Sequence, residues 1–214
     1  MTFSEHLEQL LPPYLTSIEK GRLQTGLSQF MPEHRGEGIN YNDFYKEYQN
    51  NKFFRQADLL REIRFPIWNN EAAIFEKAYT DAIIISNTCD ISFENAHTFL
   101  QKECLMAPVL DLSKCIEEFT TNGYPPEKIK TFCDSIRRQE KSQIFYLPNV
   151  SGEEKIALLD QMFWFPVKEL SEYIQQMDVT KISSLSHFGF YLFIFKISYH
   201  LCRLPESCDR EVSL

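Results

Sequence analysis

The sequence predicts an α+β protein built around a small, mostly antiparallel β-barrel. Two changes in hydrophobic period predict this fold: the pattern becomes alternating near Phe53 and becomes helical again near Ser186. Between these points, short apolar runs separated by turn residues predict about five to seven strands. The chain has 214 residues, a length that suits one domain with an appended segment. We therefore predict a helical arm over residues 1–52 and a barrel domain over 53–214, with helices inserted at about 113–141.

Composition and charge narrow the function classes. The formal net charge is -8 at pH 7, which disfavours a broad nucleic-acid surface because phosphate binding draws on clustered Lys and Arg. The N-terminus has no basic region followed by an apolar run, and no apolar run reaches the ~20 residues that a membrane span needs. These features predict a cytoplasmic protein with no membrane partner. The six cysteines form no Cys-x-x-Cys pair, so we expect neither a metal site nor a cofactor.

The predicted N-terminal arm carries several helical signals. Thr2-Phe-Ser-Glu5 is a capping-box pattern that begins a helix, and two prolines end it. A second short helix is predicted from Pro13 to Lys20, ending at Gly21. Aromatic residues around Phe44 and Tyr45 predict a further helix. We interpret the arm as a segment that lies on the domain or holds a partner.

Three strands are predicted before the helical insertion. Glu62-Ile-Arg-Phe-Pro-Ile67 alternates apolar residues with polar residues or proline, which is typical of a half-buried strand. The β-branched run Ile83-Ile-Ile85 predicts a strand that is buried on both faces. The third strand covers Cys104–Leu110, where Pro108 indicates an edge or a bulge.

Helix signals then alternate once more with strand signals. Ser113 begins a helix that ends near Asn122-Gly123, and Pro126 opens another. A hairpin is predicted from Ile144–Leu147 and Lys155–Leu159.

The C-terminal part adds a strand and a helix. Met162–Val167 is the last predicted strand, and a long helix follows from about Ser186 to Arg203. This helix is so apolar that we expect burial over most of its circumference. We predict that Trp68 and Trp164 are core residues rather than platforms for stacked bases.

The order of motifs over residues 55–87 resembles the opening of PemK/MazF-type toxins. Arg55-Gln-Ala-Asp58 precedes a strand, a long connection follows, and Ala82-Ile-Ile-Ile-Ser-Asn87 completes the pattern. Those toxins are small, Src-homology-3-like β-barrels that cut RNA, and their second strand typically ends in Ser-Asn or a similar pair. The resemblance implies a barrel of this type, in the setting of a bacterial toxin–antitoxin or phage-defence system.

Beyond residue 90 the chain is more similar to a set of uncharacterised prokaryotic proteins. These carry a Ser-x-x-Cys-Asp-Ile strand end, here Ser86 to Ile91, and a late Ser-Leu-Ser, here Ser184-Leu-Ser186. The toxin family usually places Arg-Pro before its second strand, where the arginine helps to handle the scissile phosphate. This chain has Thr80-Asp81 there, and a carboxylate repels phosphate. The resemblance therefore implies a barrel that lacks the ribonuclease chemistry.

The candidate binding site is the polar cluster where the buried strand leaves the core. Its members are Ser86, Asn87, Cys89 and Asp90. Asp90 beside Cys89 suits an acid–nucleophile pair, but thiolate chemistry needs a nearby base or cation. The alternative is that Cys89 packs inward and Asp90 caps the following turn.

Two more residues are candidates for catalysis together with Asp90. Asp58 and Asp90 would form a carboxylate pair suited to acid–base work or Mg²⁺, although an aspartate before a strand is more often a turn former. Arg203 ends the apolar helix, where it covers carbonyl groups or, alternatively, pairs with Asp90.

Two function classes follow from these residues. In the first, the protein is a non-catalytic barrel that acts as an interaction or regulatory component with a protein partner. In the second, it is a divergent PemK/MazF-like nuclease that uses Asp58, Asp90 and Arg203. The acidic charge and the missing Arg-Pro favour the first class.

Overall fold

A computed structural model of the chain describes residues 15–28, 38–46, 53–92, 102–176 and 181–202. Within these residues the helices are α1 (Ser17–Ser28), α2 (Thr88–Ile91), α3 (Leu112–Thr121), α4 (Pro126–Arg137), α5 (Val167–Gln176) and α6 (His187–Cys202). The strands are β1 (Tyr45–Lys46), β2 (Asp58–Asn69), β3 (Ile74–Ile84), β4 (Glu103–Asp111), β5 (Ile144–Val150), β6 (Glu153–Leu158), β7 (Phe163–Pro166) and β8 (Lys181–Leu185).

The eight strands form one antiparallel sheet, and this sheet is not closed. The strand order is β1-β8-β2-β3-β4-β6-β5, and β7 also pairs with β4. The prediction of a β-barrel, Src-homology-3-like or otherwise, is therefore wrong, because β1 and β5 lie at opposite ends of the sheet. Closure requires a strand tilt and a register shift that bring the end strands together. Alternating side chains report which face of a strand is buried, and they carry no information on that pairing.

Three groups of buried side chains hold the layers together. On one face, Leu59, Ile83 and Phe145 pack against Phe193 of α6, with Leu23 of α1 in the same group. On the other face, β4 and β7 pack against the start of α5. Helices α3 and α4 cover the face of β5 and β6 that points away from α6. Both faces of the central strands are thus buried, as expected for the run Ile83-Ile-Ile85.

The helical insertion follows its sequence signals closely. Helix α3 ends at Thr121, and the backbone N–H groups of Asn122 and Gly123 cap its last turn. Helix α4 begins with Pro126 at its first position. The predicted hairpin is also confirmed, because β5 and β6 are joined by Ser151-Gly152, whose φ angles are both positive.

Pro108 does not place its strand at the edge of the sheet, so that prediction is wrong. Strand β4 pairs with β3 on one side and with both β6 and β7 on the other. On the second side, β7 covers residues up to Met106 and β6 begins at Val109. The proline occupies the gap between these two partners, where no strand needs its missing N–H.

The prediction of a long apolar C-terminal helix also needs correction. Helix α6 has 16 residues, and its buried face includes a charged residue, Lys196. The last turn of α6 is more exposed to solvent, and Leu201 in this turn is 64% exposed. Among the described residues, no helix is both long enough and apolar enough to cross a membrane.

The N-terminal segment departs from a purely helical arm. Helix α1 continues through Gly21, where the sequence predicts its end, and Thr16 with Glu19 forms a capping box at its start. Phe44 and Tyr45 are not helical, because Phe44 inserts into the core and Tyr45 pairs with Leu185 of β8. The helix predicted from Thr2 and the domain boundary predicted at residue 52 lie outside the described residues.

Candidate functional site

The polar cluster after β3 is used mainly to hold the backbone. The hydroxyl of Ser86 accepts a hydrogen bond from the backbone N–H of Leu105 at 2.8 Å. The side-chain oxygen of Asn87 accepts one from the backbone N–H of Cys89 at 2.9 Å and so caps α2. Cys89 and Asp90 are both exposed on this short helix, so the prediction that Cys89 packs inward is wrong. Asn87 caps α2 itself, whereas the turn that Asp90 is predicted to cap runs into residues 93–100, which lie outside the described residues.

Asp58 is the predicted site residue with the most developed environment. Only 1% of it is exposed, and Lys181 lies 2.6 Å from its Oδ2 atom. The hydroxyl of Ser184 donates to its Oδ1 atom at 2.6 Å, and the backbone N–H of Arg55 donates to Oδ2 at 2.8 Å. Burial raises the pKa of the Asp58 carboxyl, and the contacts with Lys181 and Ser184 offset only part of that rise.

The pairing of β2 with β8 brings these three side chains together. Asp58 lies directly opposite Ser184, and Leu60 lies opposite Lys181 after a register shift. The sequence reasoning found Asp58 and the Ser184-Leu-Ser186 motif separately and missed Lys181. The only signal for Lys181 was a lysine at the start of a half-apolar segment, and most such lysines are exposed.

A cleft of about 450 Å³ opens beside Asp58. Its polar lining includes Lys46, Arg55, Thr88 and His187, the last at the start of α6. Asp90 is not among the lining residues, so the structure does not bring Asp58 and Asp90 together at this cleft. Arg203 lies outside the described residues.

The carboxylate of Asp58 is already engaged by its neighbours. Its Oδ1 atom accepts a hydrogen bond from Ser184, and its Oδ2 atom accepts one from the backbone of Arg55. The ammonium group of Lys181 also lies beside Oδ2, in the position that a bound cation would take. Within the described part of the chain, no group of three or more His, Cys, Asp or Glu side chains is arranged to hold a metal ion.

A second charged cluster was not found by sequence reasoning. Lys155 of β6 lies 3.2 Å from Asp81 of β3 and also contacts Asp111, which pairs with Lys114 at 2.7 Å. Burial acts to raise the pKa of Asp111, but hydrogen bonds from Lys114 and Lys155 outweigh it and hold the pKa below its ordinary value. Asp81, Asp111 and Lys155 lie on β3, β4 and β6, so the cluster joins three strands.

Within the described residues, several exposed large apolar side chains lie together on the long hairpin formed by β2 and β3. We define the distal hairpin as residues 66–79. Its large apolar side chains stand in solvent: Phe75 is 70% exposed and Trp68 is 48% exposed. The prediction that Trp68 is a core residue is therefore wrong, and Trp164 is likewise exposed.

Both faces of the distal hairpin carry apolar side chains. Trp68 lies opposite Phe75, and their rings meet edge to face with centroids 5.0 Å apart. Because successive side chains of a strand point to opposite faces, Tyr79 shares the face of Phe75, while Ile74 and Ile67 lie on the other.

The loop at the tip is tightly formed. The side-chain oxygen of Asn69 accepts hydrogen bonds from the backbone N–H groups of Glu71 and Ala72, at 2.9 and 3.0 Å. The Asn69 amide also donates to Glu76 across the hairpin at 2.7 Å. The hairpin is thus a defined two-stranded ribbon up to its end.

Comparison with known proteins adds no relative. No protein-family model matches the chain, and no curated protein matches it. The similarity to PemK/MazF-type toxins stays a sequence-based prediction.

Proposed function

We propose that this protein is a non-catalytic interaction component that binds another protein through its distal hairpin. The observation that carries the proposal is the Trp68–Phe75 pair, exposed on a ribbon with apolar side chains on both faces. Soluble proteins rarely keep contiguous apolar patches in water unless a partner covers them. A ribbon that is apolar on both sides suits insertion into a partner's groove better than contact with a flat surface.

The energetics of such an insertion are favourable. Burying a large apolar side chain stabilises by roughly 1.5–3 kcal/mol, and aromatic residues are enriched among those that dominate binding. Trp68, Phe75 and Tyr79 supply three such side chains within the ribbon. An isolated two-stranded ribbon is marginally stable in water, so a partner would also stabilise the hairpin itself.

The base of the hairpin is anchored to the sheet, which favours a preformed docking element. The ring of Phe65 packs edge to face on that of Phe163 at a centroid distance of 4.8 Å. The guanidinium of Arg64 pairs with Glu169 of α5. A hairpin that is fixed at its base loses less conformational entropy on binding than a mobile one.

We expect a photo-crosslinker placed at Phe75 to capture one defined protein. The experiment replaces Phe75 by p-benzoylphenylalanine in the full-length chain, expressed in the source cells, and identifies adducts by mass spectrometry. The matched control carries the same group at Tyr124, which is exposed on the connection between α3 and α4. In the crosslinker chain, Trp68→Ser should abolish the Phe75 adduct, since it removes the paired ring. Identical adducts from both positions, or no adduct at Phe75, would refute the proposal.

We also expect no nuclease activity. Purified full-length protein should cut neither RNA nor DNA, with or without Mg²⁺, because both oxygens of Asp58 are engaged and Asp81 is paired with Lys155. The measurement is cleavage of labelled single-stranded and double-stranded substrates. Turnover that disappears in Asp58→Asn or Asp90→Asn, with an unchanged circular dichroism spectrum, would establish the divergent-nuclease alternative instead.

A further inference from the structure

The distal hairpin has open outer edges along both of its strands. Strand β3 pairs with β4 only over Asp81–Ile84, and β2 pairs with β8 only over Asp58–Leu60. Among the described residues, no other strand pairs with either edge. An open edge presents backbone N–H and C=O groups in the spacing that another extended chain can pair with.

The two edges are not equivalent. Strand β2 contains Pro66, which lacks an N–H, and Glu62, whose φ of 56° lies in the bulge between Leu60 and Ile63. Prolines and bulges are features that interrupt edge pairing. Over residues 74–80, β3 contains no proline, no glycine and no positive φ. The edge of β3 is therefore the edge that can accept an added strand.

Charge disfavours pairing of this edge with a second copy of the chain over its full length. A twofold axis normal to a sheet places a residue opposite its own copy, so the antiparallel self-pairing that uses all of residues 74–80 centres on Lys77. This register places two lysines directly opposite each other, which is destabilising. Lys77 lies on the same face as Phe75 and Tyr79, between them. The complementary strand presents a carboxylate between two apolar side chains.

We infer that the partner adds an extended segment to the edge of β3 as a strand, with an acidic residue facing Lys77 and apolar residues facing Phe75 and Tyr79. This rests on the proposed function and specifies the partner's chemistry: a different protein, recognised through main-chain pairing and alternate side chains.

Synthetic peptides test the charge preference. The probe is a labelled, end-capped peptide of sequence Thr-Val-Thr-Glu-Thr-Val-Thr, and its control has Lys in place of Glu. Fluorescence anisotropy with the full-length protein should show the Glu peptide binding about tenfold more tightly than the Lys peptide. Lys77→Glu should reverse this preference, and Lys128→Glu, an exposed site on α4, should leave it unchanged. No binding of the Glu peptide at about 1 mM, or the same preference in Lys77→Glu, would overturn the inference.

Backbone methylation tests the strand itself. N-methylation of alternate residues blocks one edge of an extended peptide and leaves the other intact. We expect methylation of one set of alternate residues to abolish binding and methylation of the other set to preserve it. Equal effects of the two sets would exclude strand addition. If that happens while the Phe75 crosslink persists, the hairpin is still the binding element and only its mode is wrong; if the crosslink is absent, the proposed function itself fails.

Discussion

Replacing Lys181 by methionine should lower the free energy of unfolding by about 3–5 kcal/mol, the usual cost of removing one partner of a buried ion pair. Lys181 and Asp58 are both almost fully buried, and the Nζ atom of Lys181 lies 2.6 Å from the Oδ2 atom of Asp58. Methionine keeps most of the side-chain length but leaves the carboxylate of Asp58 without its counter-charge. The measurement is urea denaturation followed by circular dichroism at neutral pH. Among substitutions outside the apolar core, we expect none to cost more.

Two further variants separate the ion pair from its surroundings. Ser184→Ala removes only the hydroxyl that donates to Asp58, and should cost about 1 kcal/mol. Asp58→Asn combined with Lys181→Met removes both charges, so it should recover much of the loss seen in Lys181→Met alone. Asp58→Asn alone completes the comparison. If the loss of stability in the double variant equals the sum of the losses in Asp58→Asn and Lys181→Met, the ion pair contributes nothing of its own.

The Lys181→Met loss should also depend on pH in one direction. Burial already raises the pKa of Asp58, and removing Lys181 raises it further. A carboxyl whose pKa is higher in the folded state than in the unfolded state contributes stability at low pH that is lost as the pH rises through its folded pKa. The variant should therefore be closer to the wild type at about pH 4 than at neutral pH.

Local signals in the sequence predicted the elements whose stability is local. Helices α3 and α4 carry their own stop and start residues, Asn122-Gly123 and Pro126, and both form where these signals place them. The hairpin of β5 and β6 has a two-residue turn with positive φ angles, which places Val150 opposite Glu153 before the register shifts between Leu147 and Val150.

The part of the distal hairpin beyond Ile67 was not predicted, because its side chains do not alternate between apolar and polar residues. A strand with one buried face shows a period of two, whereas β2 after Phe65 and β3 before Ala78 are largely exposed on both faces. Trp68 was therefore assigned to the core, since composition alone cannot separate a buried aromatic residue from an exposed one.

The Asp58 environment could be predicted only in part because it depends on a long-range pairing. Asp58 and Ser184 are 126 positions apart in the chain and meet only after β8 inserts between β1 and β2. Which strand lies beside β2 is decided by the packing of the whole sheet, as is the absence of closure. The identity of a single residue such as Lys181 therefore does not indicate which strand will lie beside β2.

Lys196 is a further ionisable group buried in the core. It is fully buried on α6, and its Nζ donates to the backbone carbonyl of Gln139. Burial lowers the pKa of Lys196 to about 7, and the charge of Glu140 acts in the opposite direction. Gln139 in turn holds the backbone N–H and C=O of Tyr146 through its side chain, so the lysine adjoins a fully used polar network.

We expect the wild-type protein to become more stable as the pH rises from about 7 to about 7.5, a range below the ordinary pKa values of cysteine and tyrosine. In this window the unfolded chain holds a proton on Lys196 that the folded chain releases, so the free energy of unfolding rises with pH by at most about 1.4 kcal/mol per unit. Below pH 7 both states hold the proton and this contribution is constant. Lys196→Met, which removes the charge and keeps the packing, should be at least as stable at neutral pH and show no such rise, whereas the exposed Lys128→Met should retain it. Urea denaturation at several pH values measures all three proteins, and a rise that persists in Lys196→Met would assign the pH dependence to another group.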